Sequence, residues 1–514
     1  MKTTFSLLLT IIGLSLIAQA PAIEWQKSLG GSDLDHAVDV KQTLDGGCIL
    51  VGATRSEDGD ITSNNGNSDV WVVKHNSLGE ILWQKTYGGS QSEEAFSIIL
   101  TNDGGYAFAG YARSNDGDVT LNKGQSDFWI VKLNDTGDII WQKTYGGTAS
   151  DLAYSIKQTS DQGFVVVGQT TSNNGDVTNN NGWDDIWVIK LNETGELQWQ
   201  KSYGGNGFDN AYSVQQTIDG GFIVAGETDS NDAFNNNIYG HNDFWILKLN
   251  TLGELEWQKN LGGSGHDSSK GIIQTTDGGY VIVGYSRSND FDVTNNNGNY
   301  DFWVVKINEI GNIIWQKSYG GSSQDRANSI FQANDGGFVI AGESESNNGY
   351  LNQNFGQKDV WVIKLNGNGD LVWQKSFGGS NEDYAIRIIQ TNDNGYTFVG
   401  GTFSNDINVS NNNGQLDVWI VKLFPDNLSN IEFLSTSNIS IYPNPTQNFV
   451  YISSENNIQK IELYDVNGRI LYVSEQKRDK ISLENFSNGI YFLKIQLDNG
   501  DIVSQKIQKS NSCY

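Results

Sequence analysis

Along most of the chain, short apolar runs alternate with polar punctuation at a constant beat. AYSIKQT (Ala153–Thr159) is followed by SDQG, then by FVVVGQT (Phe164–Thr170) and a long Asn/Gly loop. DIWVIKLN (Asp185–Asn192) comes next, then the turn ETG and the run ELQWQKSY (Glu196–Tyr203). Runs of this length, rich in Val, Ile, Phe, Trp and Tyr and bounded by Gly, Asn and Asp, predict β-strands joined by turns. The middle two runs are apolar almost throughout, which predicts strands covered on both faces. No proline stands between Pro21 and Pro425 to interrupt a ladder. The pattern predicts four strands per unit.

The unit recurs every 58 residues without slippage. Trp-Gln-Lys begins at Trp25, Trp83, Trp141, Trp199, Trp257, Trp315 and Trp373. Asp-x-Trp stands at Asp69, Asp127, Asp185, Asp243, Asp301, Asp359 and Asp417, so 14 of the 15 tryptophans occupy two repeated positions. Seven repeats of four strands predict an all-β fold, a seven-bladed β-propeller over residues 23–424. The chain opens on a fourth strand, IEWQKSLGG from Ile23, and leaves the repeat after a third, DVWIVKLF (Asp417–Phe424). The N-terminal strand is therefore expected to complete the last blade and close the ring, leaving few open edges. A feature present once per blade belongs to the scaffold, whereas a functional centre is a single asymmetric constellation. By that rule the tryptophans pack between sheets, and the recurring Asp and Lys pair or cap turns.

The two ends differ from the repeat. MKTTFSLLLTIIGLSLIAQA has one charge, an apolar run and then small residues, the form of a secretory leader over residues 1–22. Cleavage is expected after Ala22 in preference to Ala20. No other apolar run approaches the roughly 20 residues of a membrane-spanning helix. After Pro425 comes a linker (425–437), then alternating strands in ISIYPNP (Ile439–Pro445), IELYDVNGRIL (Ile461–Leu471) and NGIYFLKI (Asn488–Ile495). With an Asn-Gly turn at Asn467-Gly468, these predict a small β-sandwich over 438–510. From Asn438 onward eight basic residues balance eight acidic ones, and Lys2 is the only charge before Pro21, so the net −27 becomes −28 over 21–437. Such a surface excludes nucleic acid and anionic membranes as partners. The two cysteines make no disulfide framework. Cys48 stands where other repeats have Tyr or Phe and reads as a small buried apolar substitute, and Cys513 as a loose terminal thiol.

The phrases GG-x(4)-D-x-A, DGG[YF], DxWxxKLN-x-x-G and WQK-x-x-GG resemble those of bacterial extracellular propellers, the seven-bladed SBBP class and the related delta-sixty repeats. The resemblance covers Ile23–Leu423 and implies a propeller without implying an activity. YPNP, LYDxNGR and GIYFLKI, in order and properly spaced, resemble the type A C-terminal sorting domain of the type IX secretion system. That resemblance implies passage of the inner membrane, recognition by the outer-membrane translocon and delivery to the cell surface or beyond, commonly with removal of the domain. The appended SNSCY (Ser510–Tyr514) departs from the usual ending.

A site must lie where blades differ, and long loops on a rigid scaffold are the usual home of binding residues. The loops entering the first strand and joining the second to the third share one face. On it, one aligned position reads Asn67, Gln125, Trp183, His241, Asn299, Gln357 and Gln415. Trp183, His241, Phe208, His266 and Tyr300 are the candidate ligand contacts, with Phe234, Tyr239, Phe291, Tyr350 and Phe355 as further departures. Lone aromatics in Asn-rich loops suit stacking on sugar rings or a polar protein partner. DGDVT, GDVT and DFDVT place hard oxygen donors close together, making Asp118, Asp176 and Asp292 candidate calcium ligands, although Asx-turn capping accounts for such loops equally well. No other cofactor is implied. His36, His75, His241 and His266 have no metal-ligand spacing, and no nucleophile motif occurs. Non-repeating carboxylates (Glu227, Glu343, Glu345) keep a glycan-active hydrolase or lyase as the alternative, with a purely structural role as a third reading. The sequence reads as a non-enzymatic surface protein that binds glycan or protein.

Overall fold

The computed structural model describes residues 20–232, 238–426, 439–443, 446–454, 457–464, 470–474, 480–498 and 502–510. It falls into two units, Met1–Pro425 and Asp426–Tyr514. The described part of the first is a β-propeller, a ring of seven four-stranded antiparallel sheets. Blade one runs from the innermost strand Asp35–Gln42 through Cys48–Thr54 and Asp69–His75 to the outer strand Ile81–Tyr87. Five blades opening at Glu93, Asp151, Asp209, Asp267 and Asp325 repeat that order. The seventh holds Asp383–Gln390, Tyr396–Thr402 and Asp417–Leu423, and takes Ile23–Leu29 as its fourth strand, with Trp25 opposite Lys422 and Lys27 opposite Ile420. Innermost strands of neighbouring blades pack on one another all the way round, the first against the seventh.

The repeated residues explain why the blades take this shape. The Asp-x-Trp indoles are fully buried between sheets. Each donates its Nε1–H to the Gln of Trp-Gln-Lys on the outer strand, from Trp71 to Gln84 Oε1 at 2.7 Å round to Trp419 and Gln26 at 2.9 Å. A polar indole edge buried without a partner would cost ~1–3 kcal/mol, so Gln is fixed at that position. The last of these bonds crosses the ring closure. The third-strand lysines pair with the Asp of the turn before the second strand, as in Lys190–Asp161 at 2.9 Å and Lys422–Asp393 at 2.8 Å. Outer-strand lysines reach the next blade in Lys85–Asp138 (2.6 Å) and Lys143–Glu196 (2.7 Å). Each exposed pair contributes ~1 kcal/mol at most; tryptophan burial dominates.

The Asp that opens each third strand does cap a turn, Asp185 Oδ2 accepting from the Asn181 amide at 2.9 Å. Its other oxygen, however, faces a carboxylate of the next blade. Asp185 Oδ1 is buried without a partner among the described residues, and Asp209 lies across Gly204. A Cβ on Gly204 would stand 2.3 Å from Asp185 Oδ1 and 2.8 Å from Asp209 Oδ2, so only glycine fits the junction. Asp209 Oδ2 accepts from the Gly205 amide (2.8 Å) and the Ser230 hydroxyl (2.7 Å). Burial, reinforced by the facing carboxylate, pushes Asp185 up to about 7. Asp243, Asp301 and Asp359 stand at about 7 and Asp69, Asp127 and Asp417 at about 6 for the same reasons.

In the second unit, Ile439–Tyr442, Phe449–Ser454 and Lys480–Ser482 form one sheet, and Ile470–Ser474, Ile458–Tyr464, Gly489–Leu497 and Ile502–Lys509 another. Val450, Ile452 and Ile481 from the first meet Ile461, Leu493 and Ile507 from the second in one core, so the unit is a sandwich. Lys509 Nζ donates to the carbonyls of Leu483 (2.8 Å) and Phe486 (2.6 Å).

Most of the expected leader (to residue 19), most of the linker (427–438), Phe234 and Cys513 lie outside the described residues. At the leader's end, the Ala22 carbonyl accepts from the Phe424 amide at 3.0 Å and that of Pro21 from Lys375 Nζ at 3.3 Å. A cut after Ala20 keeps both bonds; the expected cut after Ala22 loses them. Cys48 is buried in its strand, and burial pushes its thiol up to about 12.

Two outcomes follow for stability. Deleting Ile23–Lys27 removes the acceptor of the Trp419 indole and unpairs the strand Asp417–Leu423. The melting temperature should fall by about 10 °C or more, and an unchanged melt would refute the closure. The junction acids bind a proton more tightly folded than unfolded. Their contribution is complete below 3.8 and is lost as pH rises through about 6 to 7. Thermal melts should therefore run higher at pH 5 than at pH 8. Asp185→Asn, whose amide would donate to Asp209, should raise the pH 8 melt by roughly 1 kcal/mol and flatten the profile. A wild-type melt that rises toward pH 8 would mean that these acids stay ionised.

Candidate functional site

The long loops interlock across each blade junction. The residue before a third strand bridges the residue before the next innermost strand, as Asp184 does with Phe208 and Tyr300 with Gln324. This pairing brings together side chains that are far apart in sequence. Trp183 donates its amide to the Gly207 carbonyl at 3.1 Å, and its ring stacks on Phe208 at 5.8 Å and 22°. Trp183 is 69% exposed and Phe208 44%. At the next junction Tyr239 and Phe291 stack at 4.6 Å and 20°. His241 is exposed there and donates its amide to Gly265, one residue before His266. His266 in turn lies 6.0 Å from Tyr300 and parallel to Tyr285 at 6.1 Å. Of the five candidate contacts, the structure thus joins Trp183 with Phe208 and His266 with Tyr300, while His241 makes only its backbone bond.

Phe291 stands out within this group. Its φ is +50°, in the left-handed region that costs a bulky residue ~1 kcal/mol or more. Gly59, Gly117, Gly175 and Gly349 occupy the equivalent position with similar φ, and in blade seven so does the exposed Ile407 at +58°. A strained aromatic that is 64% exposed gains nothing for the fold, and strain of this kind clusters at functional surfaces.

The three calcium candidates are not gathered. Asp118 accepts from the Gly88 amide and Asp176 from Gly146, each at 3.1 Å, and Asp292 from Gly262 at 3.4 Å, one per blade. Asp176 is also taken by the Lys123 ammonium. Among the described residues no group of three or more His, Cys, Asp or Glu side chains is placed to share a metal ion. These carboxylates cap the Gly-Gly turns.

A second set of non-repeating residues lines the axis, gathering His36 and Glu227 of the sequence candidates with side chains that the repeat did not single out. His36 Nε2 lies 2.8 Å from Glu94 Oε1, and Phe96, Tyr154 and Tyr212 follow at ring separations of 5.1 and 5.3 Å. The Tyr212 hydroxyl donates to Glu227 Oε1 at 2.7 Å, while the buried Glu227 Oε2 has no partner among the described residues. Lys270 Nζ rests 3.5 Å above the Tyr212 ring, its ammonium pushed down by burial. Arg326 covers the Tyr300 ring at 4.9 Å, linking this belt to the loop-face aromatics. Glu343 is engaged by Lys358 at 3.4 Å, and Glu345 by Gln324 at 3.2 Å. Further along the same innermost strands, Arg387 Nε and Lys41 Nζ both meet the buried Asp39. The signal was available at two aligned positions. One reads Asp39, Ser97, Ser155, Ser213, Gly271, Ser329, Arg387 and the other Lys41, Ile99, Lys157, Gln215, Ile273, Phe331, Ile389.

Residues 440–510 match the secretion system C-terminal sorting domain. The second unit is therefore a sorting tail of the type IX pathway, and the protein is secreted or held at the cell surface. No helix among the described residues is long and apolar enough to cross a membrane. The chain is 21% identical over 401 residues to the regulatory protein FlaEY of Caulobacter vibrioides, matching 69% of this chain but spanning only 40% of that protein. Solved structures similar to it include the N-terminal part of BBS1 in complex with ARL6 (12% identity, 80% of this chain and 98% of that one, TM-score 0.42). Another is PorZ, a surface component of the type IX secretion system of Porphyromonas gingivalis (9%, 92% and 81%, TM-score 0.24). A third is a puromycin hydrolase variant (11%, 72% and 50%, TM-score 0.39).

A chelator tests the turn-capping account. Treating the full chain with EDTA should leave its melting temperature unchanged, and Asp118→Asn should melt within a few degrees of wild type with or without calcium. A fall of several degrees on chelation, restored by calcium, would reinstate a bound ion.

Proposed function

We propose that this type IX cargo is a binding module whose long-loop face, over blades three to six, recognises glycan, with protein surfaces as the alternative ligand. The strained, exposed Phe291 stacked on Tyr239 is the observation that carries this reading. With Trp183 on Phe208 it gives flat aromatic platforms at successive blade junctions, and such platforms suit the apolar faces of sugar rings. Asn-rich loops around them supply amide donors and acceptors for hydroxyls. The acidic surface of the propeller argues for a neutral ligand over an anionic one. The resemblance of the repeats to extracellular SBBP-type propellers agrees with a role outside the cell. Of the non-repeating glutamates, Glu343 and Glu345 are each engaged by neighbouring side chains, so binding is preferred over glycan cleavage.

The test is a glycan array probed with the full chain, its Trp183→Ala variant and its Phe291→Gly variant. Binding should be weakened about tenfold or more in each, the loss of ~1.4 kcal/mol of stacking. Phe291→Gly should melt higher than wild type while binding less, a separation that a purely structural phenylalanine would not show. Absence of binding by the wild-type chain to any glycan would turn the proposal toward a protein ligand.

A further inference from the structure

At the tight-turn end of the axis, away from the aromatic loop face, Lys41, Lys157 and Arg387 converge on the single carboxylate of Asp39. They come from the innermost strands of blades one, three and seven. Asp39 is fully committed. Its oxygens accept from the Val40 amide (2.9 Å), the Ile98 amide (3.0 Å), the Ser97 hydroxyl (3.2 Å) and the Lys41 ammonium. Burial opposes its ionisation, but Lys41 and Arg387 outweigh it and bring its carboxyl down to about 2, so it carries a full negative charge. Three cations then face one anion, an excess of two positive charges inside a propeller whose residues 21–425 carry a net −26 (the −28 of 21–437 less Asp426 and Glu432).

The cations are unequally engaged. Lys41 donates to Asp39 and to the Val40 carbonyl (3.1 Å), and Arg387 Nε pairs with Asp39 Oδ1 at 3.1 Å without hydrogen-bond alignment. Lys157 has neither hydrogen bond nor ion pair among the described residues, although burial works against its charge. Removing a cation from water without a partner costs several kcal/mol, which the packing of the ring does not demand. Isoleucine stands at the Lys157 position in three other blades. Lys41 and Lys157 also line an open pocket of about 490 Å³, together with Asn102, Gln158 and Ser160. That volume suits a small solute, and its walls place the Ser160 hydroxyl beside the two ammonium groups, with Ile99 and Leu100 as apolar lining.

We propose that this pocket binds a compact oxyanion, a phosphate group held by Lys157 and Lys41 with the free donors of Arg387 behind it. The phosphate has two possible sources, a free inorganic ion and the end group of a small phosphorylated solute. Neither the loop-face aromatics nor the identity of their ligand enters this assignment.

The experiment is calorimetric titration of the full chain with inorganic phosphate and with glucose 6-phosphate, in chloride buffer of constant ionic strength. Thermal melts in phosphate and in chloride accompany it. Phosphate should bind and raise the melting temperature above that in chloride. Lys157→Gln should weaken binding about tenfold or more, whereas Lys157→Arg, which keeps the charge, should retain it. That contrast separates loss of the site from loss of the fold. Tighter binding of the sugar phosphate would identify the anion as an end group, and tighter binding of the free ion as inorganic phosphate. Melts that do not distinguish phosphate from chloride, or equal binding by wild type and Lys157→Gln, would overturn the proposal.

Discussion

The structure depends on the contact between neighbouring blades, because no single blade can bury its own faces. Each sheet is apolar on both sides, and its third-strand tryptophan finds cover only against the preceding blade, as Trp187 does on Phe128 and Ile130. Stability is therefore a property of the ring rather than of its parts. The seam between Ile23–Leu29 and Asp417–Leu423 carries a disproportionate share of it. That seam is the longest-range pairing in the chain, with Gln26 reaching Trp419 across 393 residues. The entropy of closing so long a loop must be met before the first and last blades are covered on both sides.

The same contact limits where chemistry can be placed. Junction positions are held by seven-fold demands: Trp for volume, Gln for the indole, Gly for the close approach of two carboxylates. Two regions escape these demands. Loop tips beyond the Gly-Gly turns face solvent, and the edge of the innermost strand faces the axis. The candidate functional residues lie in one or the other. The aromatics of blades three to six occupy the tips, and the His36, Glu227, Lys270 and Arg387 sets occupy the axis.

The scaffold was legible in the sequence because repetition averages over chance. The period located the blades, and the phase of the first strand located the closure. The partner of the Asp-x-Trp carboxylate was not legible, since a facing acid on the next blade is a relation between repeats that one repeat cannot display. The loop aromatics were legible as departures, and the structure added which of them pair, because the Asp184–Phe208 bridge depends on junction geometry. The remaining axial residues were missed for a local reason. Every innermost strand bears a bulge, as between Ala37 and Asp39 or Ala385 and Arg387. A bulge shifts the alternation of faces by one residue. Simple alternation therefore assigns Asp39 and Arg387 to the wrong side, and their shared aligned position goes unnoticed.

The buried junction acids and the half-buried axial cations share one electrostatic setting. An acidic surface of this size raises the cost of ionising any further carboxylate inside it and lowers the cost of holding an ammonium. Burial and the facing carboxylate hold the seven junction acids above the usual carboxylate range, three at about 6 and four at about 7. Below those values they keep a proton as they stand face to face across a glycine. The axial lysines respond differently. The surrounding negative charge makes them tolerable, yet burial still drives Lys41 down to about 8. A fold that only needed to fill this space would place apolar side chains there, as blades two, five, six and seven do with Ile99, Ile273, Phe331 and Ile389. Retaining charge here, Lys41 and Lys157 at one aligned position and Arg387 at the other, breaks the symmetry of the ring in a region where symmetry would cost least to keep. The asymmetry therefore belongs to something other than the ring's own packing.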